Sequence, residues 1–395
     1  MFTYSKTAAV LAVAAMLTAC GGQTGSMPGQ TSTTNQIVRT AGDRSLADAY
    51  HWAPKYATLP FAHAIDLADL KRQEAYGNTI PFFSGSVKSP LDGNTYQYII
   101  AGKDPTKSDK TTFLRYVPIV LVLTFPDGTV LDPRQPGCGD TVPVANRFFR
   151  GPNFHNTELI SNGVDVGKTQ VNDGFQRAEF WTILKGSHYH TRLRGATTPI
   201  IVYVNAPRHS KTFAGVCSGK SHRIGTIRLN EYNLIVQNIA STYTSGAQIP
   251  VMLTYNTFFT YKGGCCIIGY HSLMQRYTGY VPYSVGTYND PGIFNVPIED
   301  ISVWTHELGE LINDPFLNNA TPGWGHVGQV GGCQYNFEVG DPLTGTDFTV
   351  QYHGFTYHPQ ELAFFSWFYR TPSTGTGGLY SFEGTFTSPQ GVCST

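Results

Sequence analysis

Residues 298–319, IEDISVWTHELGELINDPFLNN, constrain the fold more than any other stretch of this chain. Pro297 precedes the segment, Glu299 and Asp300 stand where a first helical turn would lie, and Pro315 bars continuation. Between them Ile301, Trp304, Leu308, Leu311 and Ile312 recur at helical spacing. A helix over 298–312 with such a stripe is stable only when another layer covers it. The covering material is strand-like. Residues 95–101, 117–125, 198–204, 232–239 and 251–261 read as strands, and Pro126-Asp127-Gly128 marks a turn before 129–131. Two further helices are predicted over 171–185 and 360–369. The expected class is α+β, with a strand-rich front half and a back half built round the 298–312 helix, in one large domain over 45–395.

That helix also carries chemistry. His306 and Glu310 are four residues apart, so their side chains lie one above the other on a single face and could share one ion. Glu307 sits on the adjacent edge, placed to take a proton from a water that the ion activates. This is the logic of the HExxH helix of zinc peptidases, with Glu310 in place of the second histidine.

Thr305-His306-Glu307-Leu308-Gly309-Glu310, followed by Asn313-Asp314-Pro315, resembles the HELxE…DP helix of exported bacterial proteins related to zincin metallopeptidases. Gly269-Tyr270-His271-Ser272, Pro322-Gly323-Trp324, Cys333 and Phe337-Glu338-Val339-Gly340-Asp341 extend the resemblance over roughly 250–390. It implies a zincin-like back half and a third ligand downstream. Glu338, 28 residues beyond Glu310, is the first choice, and Asp341 the second. Asp314, before a proline at a helix end, reads as structural. One His with two carboxylates makes zinc the default ion, while oxygen-rich sites shift preference towards Mn²⁺ or Ca²⁺. His271 could approach the site. His358, beside Tyr357, is the candidate donor to a developing oxyanion. His188 and His190 share a strand face but have no acid nearby in sequence, and read as structural.

The N-terminus predicts export. Lys6 is followed by an uncharged, largely apolar run over 7–18, too short to span a bilayer. Leu17-Thr18-Ala19-Cys20 resembles the lipobox of bacterial lipoproteins, which implies cleavage of residues 1–19 and lipid on Cys20. Residues 20–44 are rich in Gly, Ser, Thr and Gln and read as a flexible tether. Acylation of Cys20 leaves Cys138, Cys217, Cys265, Cys266, Cys333 and Cys393, an even set suited to disulfides in an oxidising compartment. The neighbours Cys265 and Cys266 are expected to take different partners, because a vicinal bridge closes a strained ring.

Lys and Arg balance Asp and Glu at 27 each, and no basic run stands out, so nucleic acid is not an expected partner. No GxSxG elbow or phosphate-binding loop is present. The expectation is a lipid-anchored extracytoplasmic metallohydrolase at the outer membrane or cell surface, acting on peptides. The alternative is a non-catalytic surface lipoprotein that binds glycan or protein on an aromatic-rich, disulfide-braced scaffold, with a degenerate metal site.

Overall fold

The layer that receives the Ser302–Asn313 helix is a curled, mixed sheet of eleven strands. The computed structural model describes residues 50, 52–59, 65–277 and 279–393. Residues 1–44, with the expected export signal, Cys20 and the expected tether, lie outside them. Along its main path the sheet runs Lys211–Phe213, Ile224–Arg228, Thr257–Tyr261, Gly264–Gln275, Tyr280–Tyr288, Ile249–Tyr255, Thr111–Thr124, Val130–Leu131. Ile249–Tyr255 is buried at every position and has parallel partners on both sides. Its largely apolar character follows from having both faces covered. Gly264–Gln275 and Tyr280–Tyr288 form an antiparallel pair. The short strand Lys55–Thr58 pairs in parallel with Gly264–Gln275. Strands from both halves of the chain therefore join one sheet, and the strand-rich front and helix-bearing back are not separate layers.

Two glycines let the helix approach. Gly269 and Gly286 stand opposite each other on the paired strands. A Cβ on Gly269 would lie 2.7 Å from Val303 Cγ1 and 2.8 Å from Glu307 Oε1. One on Gly286 would lie 3.0 Å from Val303 and 3.1 Å from Trp304. The apolar stripe of the helix packs on this bed. The opposite side is covered as well: the Val171–Glu179 helix and Leu362 close over Gly309. Every residue of Ser302–Asn313 is buried, so its polar groups face protein and not solvent.

Several expectations need correction. Residues 232–239 belong to a helix, Leu229–Tyr243, whose buried Tyr232, Val236, Ile239 and Ala240 repeat at helical intervals. Residues 251–261 contain two strands, Ile249–Tyr255 and Thr257–Tyr261, divided at Asn256, which adopts a left-handed φ of 45°. The 171–185 helix breaks at Phe180 into Val171–Glu179 and Trp181–Leu184. Only Phe365–Tyr369 of 360–369 is helical. Among the cysteines, Cys138–Cys217 and Cys333–Cys393 lie at bridging distance. Cys265 and Cys266 are bridged to each other across a cis peptide, with Cα atoms 3.0 Å apart. The other four cysteines are paired among themselves, which leaves neither neighbour a distant partner. No helix among the described residues is long and apolar enough to cross a membrane.

The glycine bed carries a prediction. Gly269→Ala should destabilise the protein by about 1–3 kcal/mol, the usual cost of inserting a methyl group into a packed core. Urea denaturation followed by circular dichroism would measure it, and a midpoint equal to that of wild type would contradict the close approach described.

Candidate metal centre

Glu310 is the hub of the site. Its Oε1 lies 3.0 Å from His306 Nε2 and accepts a hydrogen bond from the Gly340 amide at 3.2 Å. Its Oε2 lies 3.3 Å from His271 Nδ1. Asp341 completes the first side, with Oδ1 3.5 Å from His306 Nε2. Glu307 completes the second, with Oε2 3.2 Å from His271 Nδ1. Two three-residue groups result, His306–Glu310–Asp341 and His271–Glu307–Glu310, and the candidate ligand atoms within each lie within 4.8 Å of one another.

Local structure explains the convergence. Helical periodicity stacks His306 over Glu310. Strand alternation places His271 on the same sheet face as Gly269, the face against which Glu307 lies. After the helix, the hairpin Ala320–Val327/Val330–Asn336 turns the chain back, and residues 337–341 return to the site. Gly340 is required there: a Cβ on it would stand 2.3 Å from His306 Nδ1. That nitrogen is flanked by Gln360, whose Oε1 lies 3.3 Å away and whose Nε2 donates to the Gly340 carbonyl at 2.8 Å. The Tyr56 ring stacks on the His306 ring with centroids 3.4 Å apart.

The site is enclosed and rich in acid. His271, His306, Glu307, Glu310 and Glu338 are at most 2% exposed, and Asp341 is 5% exposed. Among the described residues, no lysine or arginine forms an ion pair with Glu307, Glu310 or Asp341; the cationic partners are the two imidazoles. Burial opposes the charged form of His306, but Glu310 and Asp341 outweigh it and raise its pKa to about 10. His271 is also raised: Glu307, Glu310 and Glu338 overcome the effect of burial. Burial pushes Glu307 up to about 7 despite the hydrogen bond from His271. Glu310 moves the other way, to about 2, because both histidines outweigh its desolvation.

The expected site residues can now be placed. His306, Glu307, Glu310 and Asp341 come together. Glu338 joins them from behind: its Oε2 lies 3.8 Å from His271 Nε2, the ring nitrogen turned away from Glu310, and Asn336 donates to its Oε1 at 3.1 Å. Glu338 thus stands beside His271, while Asp341 stands beside His306. Asp314 accepts backbone hydrogen bonds from Asn318 and Asn319 and closes the end of the helix. His358 does not turn to the cluster. Its Nδ1 lies 2.8 Å from Asp300 Oδ2 and 3.3 Å from Glu299 Oε1, below the start of the helix. His188 and His190 do have acids, Asp109 and the buried Asp173, brought from distant segments. Each histidine faces its own aspartate. Tyr56, Gln329 and Gln360 were not anticipated; no local pattern marks a residue whose role is to lean on a distant histidine.

The Asp300 partner raises the pKa of His358 against the effect of burial. A raised folded-state pKa means the pair contributes stability in full below the unfolded value of about 6.5 and loses it as pH rises through the folded value. His358→Gln should therefore lower urea stability more at pH 6 than at pH 9. An equal loss at both would show that the ring contributes only by packing. Compared with known proteins, the chain matches no family model, no curated protein and no solved structure.

Proposed function

We propose that this chain is a metal-dependent hydrolase of the extracytoplasmic surface, held to the membrane through Cys20 and directed at peptide bonds. The observation that carries the reading is the meeting of His306 and Glu310, from successive helical turns, with Asp341 in a buried pocket of acid. The laying of this helix on a curled sheet supports a zincin-like arrangement.

The donor set fits a divalent ion. Ligands about 2.0–2.2 Å from one ion stand roughly 3–3.5 Å apart. The separations of 3.0 and 3.5 Å about His306 Nε2 match that requirement. His306 Nε2 is buried and faces two carboxylate oxygens, Glu310 Oε1 and Asp341 Oδ1, and Gln360 flanks the other ring nitrogen. A bound zinc ion, or a manganese or calcium ion given the two carboxylates, would supply Lewis acidity.

The chain's own groups then handle protons and orientation. Glu307, with a pKa near 7 and Oε1 free of hydrogen bonds, accepts a proton from water and returns it to the leaving amine. His271 bridges Glu307 and Glu310 and fixes both carboxylates. Glu338 adds negative charge on the far side of His271, with Oε2 3.8 Å from Nε2.

Metal analysis of the purified full chain tests this reading. One ion per chain is expected, and His306→Ala or Asp341→Asn should weaken its retention about 10- to 100-fold. Glu307→Gln should keep the ion and lower peptide cleavage about 10²- to 10⁴-fold. Because both histidines carry raised pKa values without metal, binding should release protons, and affinity should fall as pH falls. Calorimetry in buffers of different ionisation enthalpy would read the release. Failure to retain any ion after zinc addition would remove the reading. The enclosure of the cluster favours one rival, a metal that braces the fold without turnover; in that case metal removal lowers the Tm, and Glu307→Gln has no cleavage to abolish.

A further inference from the structure

One segment of the chain, residues 52–59, covers the strand edge beside the enclosed cluster. Residues 55–58 run in parallel along the edge of Gly264–Gln275 that leads to His271, with Tyr56 opposite Gly269. Upstream, Ala53 exchanges backbone hydrogen bonds with Cys265 and Cys266, and Trp52 packs edge-on against Phe213 and Phe258. Tyr56 covers the His306 ring. Across the slot, the Gln329 side chain grips the Tyr56 backbone at both ends: Oε1 accepts its N–H at 2.6 Å, and Nε2 donates to its carbonyl at 3.3 Å. The same Nε2 donates to Asp341 Oδ1.

These contacts describe a slot for peptide backbone. One wall is a strand edge, the other a side-chain amide that reads N–H and C=O whatever the side chain, and the floor is His306 with Asp341. Strand addition to an open edge is a general mode of peptide recognition, with main-chain bonds supplying affinity. We infer that the slot between strand residues 267–271 and Gln329 is a binding site for an extended peptide, and that residues 52–59 occupy it as an internal competitor, holding the centre closed. This inference rests on the peptidase reading for its purpose, and on Tyr56 and Gln329 for its evidence. The occupant belongs to the N-terminal end of the described structure. The position over His306 takes a planar side chain, so peptides with an aromatic residue there are the preferred class.

The test uses the full chain and a fluorescent peptide of residues 52–59, WAPKYATL. Wild type should bind the peptide weakly, because its own copy fills the slot. Tyr56→Ala should bind it saturably and about tenfold more tightly than wild type, for loss of the internal ring that competes for the position over His306. In parallel, diethylpyrocarbonate labelling of His306 in chelator-treated protein, read by mass spectrometry, should be about tenfold faster in Tyr56→Ala than in wild type, for loss of the stacked ring. If Tyr56→Ala does not fold, Gln329→Ala alone loosens the strap and should show faster labelling. Unchanged labelling in the folded variant, with no gain in peptide binding, overturns the inference. Metal content of the same variants before chelation, after zinc addition, separates the two readings: a slot that opens in a chain that retains no added metal would refute the metal centre and uphold the slot.

Discussion

The placement of Glu310 between two histidines is the contact on which the rest of the centre depends. A carboxylate 2% exposed would be costly to ionise alone. Here each oxygen has its own imidazole, His306 on one side and His271 on the other. Those imidazoles come from different elements, a helix and a strand, so the charge interaction links the helix to its sheet. Asp341 and Glu307 add further negative charge, and this favours the protonated form of both histidines.

Close approach makes the arrangement geometrically available. The Gly269–Gly286 pair removes side chains where the helix meets the sheet, and Gly340 removes one where the returning loop meets His306. Without these openings the carboxylates could not reach the histidines, and the helix would ride higher on its bed. The amides of Gln329 and Gln360 then lock the loop and the ring. The enclosure that strengthens these interactions also restricts entry, which makes the Tyr56 segment both a packing element and a barrier.

Length alone did not make a pattern legible: the 298–312 helix was readable, whereas the longer helix Leu229–Tyr243 was not. The 298–312 helix, the strand at 95–101, the strand read at 117–125 that runs over Thr111–Thr124, and the pairing of His306 with Glu310 all follow from patterns within one segment. The misread segments were ambiguous locally. Residues 232–239 are β-branched and apolar enough to pass for a strand, and their helical repeat shows only when the burial of Tyr232, Val236 and Ile239 is seen. The choice between Glu338 and Asp341 could not be made from distance along the chain. It depends on how the hairpin after the helix returns: that path brings Asp341 to His306 and leaves Glu338 behind His271.

By itself, the sequence determined the candidate helix, two candidate ligands on its successive turns, an even set of cysteines after Cys20, and the expectation of export. Each of these is a property of neighbours in the chain. Tertiary structure alone decided the other half of the centre, because His271, Tyr56, Asp341 and Gln360 come from segments whose separations carry no period. It also decided that the polar face of the helix is sealed and not solvated. The physical reason is the same in each case: burial and charge pairing are set by what folds over a residue, and that cannot be read from the residues beside it.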